Sequence, residues 1–227
     1  MTNSLEKKLE AFSISNLEDL FTETYSEWFC SLKGNEFFCK INPTYLKNEE
    51  SFEFLKPQFK FFDLALEIIT NQENKVLEKR SNEDNEIIEK ESQLLYGLIH
   101  SSYILTDEGM EKMKEKFLNG DFGECPRLLC KNSVVLPIEF QNDISQCVKL
   151  YCPICKRVFY PPYKYMKMIG AYFGSQFPHL FLKKYPEFEK KQEMEKYQPT
   201  MFGFDIHEES ELYYKPQKKS KKDDDKN

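Results

Sequence analysis

The sequence predicts an α+β protein, with a helical N-terminal domain, a small antiparallel β domain and an extended C-terminal segment. Between Ile87 and Ser102, apolar residues recur at three- and four-residue steps, which lays one apolar stripe along a helix. After Gly120, short β-prone runs are punctuated by prolines, and four cysteines in two close pairs lie among them. Helices followed by a separate group of short strands are typical of the α+β class.

The N-terminal region alternates polar and apolar segments. Residues 1–24 are polar and acidic, whereas the block from Trp28 to Cys39 holds too many aromatic residues to face solvent throughout. We expect Pro57 to open a helix. Residues 71–91, with four Lys or Arg against seven Asp or Glu and no aromatic residue, are expected to form an exposed loop.

Two further helices complete the helical domain, which we place at residues 25–120. The apolar stripe defines the first of them. Thr106 begins the second, because a threonine N-cap followed by two acidic residues favours a helix start. This helix should end near Asn119 and Gly120, a usual pair at a helix C-terminus.

The predicted β domain covers residues 121–190. Its β-prone runs are short and lie close to prolines, a pattern that favours short antiparallel strands around a metal. The runs are 128–129, 134–136, 148–151 and 158–160.

The spacing of four cysteines is the strongest functional signal in the chain. Four residues separate Cys125 from Cys130, two separate Cys152 from Cys155, and 21 separate the two pairs. Zinc takes four soft ligands at tetrahedral corners, and each close pair supplies two of them. Because four thiolates leave no corner for water or substrate, we predict one structural Zn²⁺ and no catalysis by it.

The remaining cysteines and the histidines are interpreted as structural residues. Three cysteines have no metal-ligand spacing and are expected to behave as small buried hydrophobic residues. Three histidines stand near aromatic residues and are expected to be packed or hydrogen-bonded. These residues are Cys30, Cys39, Cys147, His100, His179 and His207.

Composition places this chain of 227 residues, 40% of them hydrophobic, among globular proteins. No run of 18 apolar residues is present, so we predict no membrane span. The N-terminus lacks the basic stretch and apolar stretch of a secretory signal. Seven cysteines without such a signal fit a reducing compartment and metal binding.

Two other functions could use the same cysteine pairs. A zinc ribbon that binds nucleic acid should carry a basic stripe. This chain has a net charge of −6, and residues 121–190 hold only ten scattered Lys or Arg against six Asp or Glu, so this alternative is less favoured. A zinc deaminase needs H-x-E before P-C-x-x-C, whereas here His207 follows the cysteines and Pro153 follows Cys152.

An ordered set of motifs extends the signal well beyond the cysteines. The motifs are Trp28-Phe-Cys with Gly34-Asn-Glu-Phe-Phe-Cys39, Leu95-Tyr-Gly-Leu-Ile-His100 with Tyr103-Ile-Leu-Thr106, Gly120-Asp-Phe-Gly with Cys125-Pro-Arg127, Val148-Lys-Leu-Tyr-Cys-Pro with Cys155, Gly170-Ala-Tyr-Phe-Gly174, Phe177-Pro-His179, and Phe202-Gly-Phe with Ile206-His207. In this set the chain resembles the regulatory (beta) subunits of the protein kinase casein kinase II. The motifs run from about residue 25 to residue 207, roughly four-fifths of the chain.

The resemblance implies a non-catalytic protein that dimerises through its zinc modules. The family dimer joins two catalytic (alpha) subunits in a heterotetramer, stabilises the kinase, modulates its activity and selects substrates. The implied partners are the catalytic subunit, a second copy of the chain, and protein substrates and regulators of the kinase. The implied location is the cytoplasm and the nucleus.

The resemblance also assigns a role to the C-terminal segment, which we place at residues 191–214. In the family this segment forms a hairpin whose aromatic side chains dock on the catalytic subunit, and by position these are Met201, Phe202 and Phe204. We expect the two phenylalanine rings on the same side of an extended segment, with a tight bend at the glycine between them. Residues 215–227 are predicted to be a disordered charged tail.

The dimer interface is predicted from apolar residues close to the cysteines, namely Pro126, Val158, Phe159 and Tyr160. A small metal-clamped sheet has too little core to hide them, and burying them against their own copies fits an isologous interface. The alternative is that they cover the helical domain of the same chain.

Overall fold

A computed structural model describes residues 24–70, 81–140, 146–189, 200–207 and 209–210. The predicted α+β class is confirmed, because helices dominate the first part of the chain and small antiparallel sheets follow. The chain forms two compact units, Met1–Lys191 and Gln192–Asn227. The predicted tail at 215–227 and nearly all of the polar segment at 1–24 lie outside the described residues.

The described residues contain six α-helices and several 3₁₀ segments. The helices are α1 Tyr25–Ser31, α2 Pro43–Leu46, α3 Phe62–Thr70, α4 Asn82–Tyr103, α5 Asp107–Asn119 and α6 Phe177–Lys184. The 3₁₀ segments are Glu49–Gln58, Leu128–Cys130, Tyr163–Tyr165, Gly170–Tyr172 and Pro186–Phe188. No helix in this part of the chain is both long and apolar enough to cross a membrane.

Local capping residues set the ends of α4 and α5. Thr106 accepts the Gly109 N–H at 3.1 Å, and Gly120, with φ of 75°, caps α5 directly after Asn119, so both predicted ends are confirmed. Ser81 accepts the Asp84 N–H at 3.2 Å and starts α4 at Asn82. The prediction of an exposed loop up to residue 91 is therefore wrong from Asn82 onward, because the Ser81 cap starts α4 there.

The predicted helix start at Pro57 is also wrong. Pro57 lies within a 3₁₀ segment, and α3 begins only at Phe62. The carboxylate of Glu91 accepts the N–H groups of Lys60 at 2.9 Å and Phe61 at 2.7 Å. These N–H groups precede α3 and would otherwise need other partners. A side chain 30 residues away therefore helps to fix this helix start.

A single apolar core joins the helices to the β region. Helix α3 packs on α4, and α4 packs on the segment Gly170–Tyr172. The fully buried ring of Phe37 lies 5.5 Å from the Phe122 ring and 4.2 Å from the Tyr165 ring, centroid to centroid. The aromatic block is thus largely buried, as predicted, while Trp28 keeps 38% of its surface exposed.

The β region of the first unit is built on a three-stranded antiparallel sheet. Its strands are β1 Leu136–Ile138, β2 Lys149–Tyr151 and β3 Val158–Phe159, in the order β1-β2-β3. Three of the predicted β-prone runs therefore contain strand residues. The run at 128–129 does not, because it belongs to a 3₁₀ turn between two cysteines.

Candidate metal centre and aromatic hairpin

The fold brings all four predicted metal ligands together. The Sγ atoms of Cys125, Cys130, Cys152 and Cys155 lie within 4.8 Å of one another, and Cys125 Sγ is 3.9 Å from Cys155 Sγ. Four thiolates about 2.3 Å from a tetrahedral zinc ion would be about 3.8 Å apart. Three of the cysteines are buried and the fourth is half-buried. The geometry and the donor set therefore fit zinc.

A tight turn presents the first cysteine pair. The Cys125 N–H donates to Ser133 O at 2.8 Å, and the Ser133 N–H donates to Cys130 O at 3.0 Å. Lys131, directly after the second cysteine, has a φ of 46° in the left-handed region. This turn folds the backbone back so that both sulfur atoms point to the same side.

The second pair also lies on a tight, hydrogen-bonded turn. The Cys152 N–H donates to Arg157 O at 3.0 Å, and the Lys156 N–H donates to Cys152 O at 2.9 Å. Lys156 also follows the second cysteine of its pair and has a φ of 55°. Two turns on different parts of the chain, each with a left-handed residue after its second cysteine, therefore supply the four sulfur atoms.

Without an ion, burial favours the neutral thiol at two of the four cysteines. Burial raises the pKa of the Cys125 and Cys130 thiols, whereas at Cys155 hydrogen bonds from the Arg157 backbone and the other cysteines outweigh burial and lower the pKa. A bound dication reverses this preference because it stabilises thiolates and displaces their protons. Since the four thiolates would complete the coordination of zinc, the ion would supply folding stability and leave no position for a reactant.

Apolar side chains next to the cluster stay exposed to different extents. Tyr160 is 70% exposed and Pro126 is also exposed, whereas Val158 and Phe159 are half-buried against the chain's own core. Leu128 is 81% exposed although it lies between two of the metal ligands. Leu128 is absent from the predicted dimer interface, although an apolar residue within the first cysteine loop is a sequence signal for such a surface.

The second unit contains the predicted aromatic hairpin. Strands β4 Thr200–Met201 and β5 Phe204–Asp205 pair antiparallel, with Met201 opposite Phe204. The turn residues Phe202 and Gly203 have φ of 51° and 86°, as in the tight turns that fit hairpin twist. The exposed fractions are 95% for Phe202, 76% for Phe204 and 42% for Met201.

One detail of the hairpin differs from the prediction. The tight bend is present, but it includes Phe202 itself, whereas Phe204 lies in β5. The prediction that both rings lie on one side of an extended segment therefore does not apply, because the turn sets the direction of the Phe202 side chain. A non-glycine residue in the left-handed region is uncommon and costs free energy.

The histidines predicted to be structural occupy different environments. His100 is fully buried, its Nδ1 lies 2.8 Å from Tyr172 O, and its Nε2 accepts the Cys39 N–H at 3.2 Å. The His179 ring lies 5.5 Å from the Tyr151 ring. His207 lies just after the hairpin and its Nδ1 accepts a backbone N–H at 3.4 Å. None of the three belongs to the cysteine cluster.

Comparison with known proteins identifies the family. The family model of the casein kinase II regulatory subunit matches residues 24–205. The putative casein kinase II subunit beta-4 of Arabidopsis thaliana is 42% identical over 187 residues, which cover 81% of this chain and 66% of that protein. The casein kinase II subunit beta of Dictyostelium discoideum is 40% identical over 182 residues, covering 79% of this chain and 67% of that protein.

A fungal relative is matched over more of its length. The casein kinase II subunit beta of Schizosaccharomyces pombe is 36% identical over 197 residues, which cover 86% of this chain and 84% of that protein. The chain spans slightly less than two thirds of the Arabidopsis protein. The family model covers both the cysteine cluster and the helices that precede it. The chain therefore belongs to the casein kinase II regulatory subunit family, whose members are regulatory and not catalytic.

Proposed function

We propose that this chain is the non-catalytic regulatory subunit of a casein kinase II-type Ser/Thr kinase, active in the cytoplasm and the nucleus. It dimerises through a zinc module, and its hairpin docks catalytic subunits to stabilise them and to modulate their activity and substrate choice. The observation that carries the proposal is an exposed aromatic hairpin in a chain of this family.

The hairpin has the chemistry of a small protein-binding anchor. Phe202 and Phe204 expose most of their apolar surface, which is unfavourable in water and favourable in an apolar pocket of a partner. The hairpin turn sets the backbone of Phe202 before binding, so less backbone entropy is lost on association. Truncating an anchor of this kind typically costs about 2 kcal/mol or more in binding free energy.

The docking role is tested by measuring affinity for a purified catalytic subunit. We expect the double variant Phe202→Ala, Phe204→Ala to bind at least about tenfold more weakly, since about 1.4 kcal/mol is a factor of ten. Phe54, which is 67% exposed in the first unit, supplies the matched control, and Phe54→Ala should bind normally. Wild-type affinity of the double variant would refute the docking assignment.

The surface beside the metal supports self-association. Leu128 and Tyr160 expose 81% and 70% of their surface, and Pro126 adds a further exposed apolar side chain. All three lie within a few residues of a metal ligand in the sequence. Two copies that meet through this surface would bury the same residues on each side, as an isologous contact requires.

Light scattering at micromolar concentration tests this interface. Leu128→Asp places a charge at the proposed contact and should convert the dimer to a monomer without lowering zinc content. Leu118 is 62% exposed on α5, so Leu118→Asp is the matched control and should leave the dimer intact. A monomeric wild-type chain, or a Leu128→Asp variant that remains dimeric, would contradict the proposed interface.

A further inference from the structure

A lysine and a cysteine outside the metal cluster lie in direct contact. Lys149 Nζ is 3.2 Å from Cys147 Sγ. Lys149 is the first residue of β2, and Cys147 lies two positions before it, in an isolated antiparallel bridge with Ile169. Residues two positions apart in extended backbone point to the same face. The backbone therefore places both side chains on one face, and the low exposure of Lys149 keeps its amine at the sulfur rather than in solvent.

Lys149 is unusual for a lysine because only 8% of its surface is exposed. Its ammonium group lies 3.7 Å from the centroid of the Tyr160 ring. Among the described residues, the thiol and this ring are the contacts found for the ammonium, and no carboxylate pairs with it. Burying a lysine ammonium costs free energy unless a carboxylate pairs with it. Ion pairing among the described residues therefore does not explain why Lys149 is buried.

We propose that Cys147 and Lys149 form an oxidative modification site, in which hydrogen peroxide links Sγ to Nζ as a sulfenamide. Peroxide first oxidises the Cys147 thiol by two electrons to the sulfenic acid and releases one water. Lys149, after losing its ammonium proton to solvent, attacks Sγ through its nitrogen lone pair. The S–N bond forms, the S–O bond breaks, and the leaving hydroxide takes a proton from the nitrogen and departs as a second water.

The other free thiols lack this combination of access and a neighbouring amine. Cys39 is buried, burial raises its pKa to about 12, and its side-chain neighbour is the His100 ring. Cys30 contacts the Tyr96 hydroxyl at 3.9 Å, and burial raises its pKa as well. Cys147 is half-buried, so a molecule as small as peroxide can reach it while the amine is already in place.

The cross-link would alter the surface beside the metal. It converts the ammonium of Lys149 into an uncharged nitrogen and removes the cation–π contact with Tyr160. Loss of this contact frees the Tyr160 ring. A resulting change in self-association rests on the interface proposed above, whereas the cross-link itself does not.

The test treats the full zinc-loaded chain with a small excess of hydrogen peroxide, followed by proteolysis and mass spectrometry. We expect the peptide that contains both residues to lose two hydrogen atoms, to resist trypsin after Lys149, and to recover after thiol reduction. Cys30→Ser is the matched control and should cross-link normally, whereas Cys147→Ser should not. Zinc content, measured in parallel, shows that the metal ligands are intact.

Lys149→Arg separates the proposed bond from a bond between sulfur and a backbone nitrogen, which the same chemistry can form. This variant keeps the positive charge but should lose the two-hydrogen product and accumulate sulfenic or sulfinic acid at Cys147. Persistence of the product in Lys149→Arg would overturn the proposal. So would wild-type oxidation that yields only sulfinic acid or disulfides. Light scattering before and after peroxide reports separately on self-association.

Discussion

His100 links three parts of the chain through one buried imidazole. Its Nδ1–H donates to Tyr172 O, and its Nε2 accepts the Cys39 N–H, so the neutral ring satisfies both partners. Burial lowers the pKa of His100 to about 4 from an ordinary value of 6.5. A second proton would also place an N–H against the Cys39 N–H. The residue is therefore a structural bridge that stays neutral at physiological pH.

This pKa predicts a dependence of stability on pH. Between about pH 6.5 and pH 4 the unfolded chain binds a proton at His100 that the folded chain does not, so stability falls as pH falls through this window. The expected loss is on the order of 3 kcal/mol. His100→Gln keeps a donor and an acceptor but cannot titrate. Urea unfolding with excess zinc at pH 7 and pH 4.5 should show a smaller pH effect in the variant, and equal effects would contradict this account.

Residues with local signals were the easiest to predict. The four cysteines could be predicted because the spacing of metal ligands is a local feature of the sequence, and in the structure their sulfur atoms lie together. The place of Leu128 in the surface beside the metal was not predicted, because a β-prone apolar residue gives no local indication of what its loop will leave uncovered. The contact between Lys149 and Cys147 was missed since it depends on the strand register and burial of β2.

The contact of α4 with Gly170–Tyr172 connects the helices to the β region. Gly97 lies at this contact, and a Cβ added there would come within 2.2 Å of Cδ1 in the Tyr172 ring. No real Cβ atom tolerates that distance, so alanine would force the ring or the helix to move. A glycine in the middle of a helix, which is otherwise unfavourable, is therefore explained by close packing.

The packing of Gly97 against Tyr172 is tested by making Gly97→Ala both in the wild-type chain and in a Tyr172→Ala variant. Gly97→Ala should destabilise the wild-type chain by about 1–3 kcal/mol through overpacking. In a Tyr172→Ala background the same change should instead stabilise the chain by about 1 kcal/mol, since alanine favours a helix more than glycine does. Denaturant unfolding of the four proteins measures both values. The same sign in both backgrounds would show that the ring does not dictate the glycine.

Element boundaries were predictable where the cap is local. Thr106 and Gly120 fix α5 from within its own sequence, and both were recognised. The start of α3 was not predicted, because the carboxylate that accepts the N–H groups just before it belongs to Glu91 on α4. A contact between residues about 30 positions apart cannot be predicted from the local sequence pattern.

For the whole molecule, the metal should determine whether the β region folds. Structural zinc contributes apparent binding energies of about 10–16 kcal/mol in small modules. Cys152→Ser should therefore abolish zinc binding, unfold the module and abolish dimerisation together, as shown by metal analysis, thermal unfolding and light scattering. Cys30→Ser, outside the cluster, should change none of these results. A metal-free chain with a native β region and a dimeric mass would contradict this role.

The mass of the assembly formed with a catalytic subunit tests the central claim most directly. The proposed function places a self-association surface beside the metal in one unit and a docking hairpin in the other. Sedimentation of the zinc-loaded chain mixed with a purified casein kinase II catalytic subunit should give a particle of two copies of each. With Phe202→Ala, Phe204→Ala, the particle should separate into a dimer of this chain and free kinase. A wild-type mixture that sediments as unassociated proteins, or an assembly that the double variant leaves unchanged, would contradict the account.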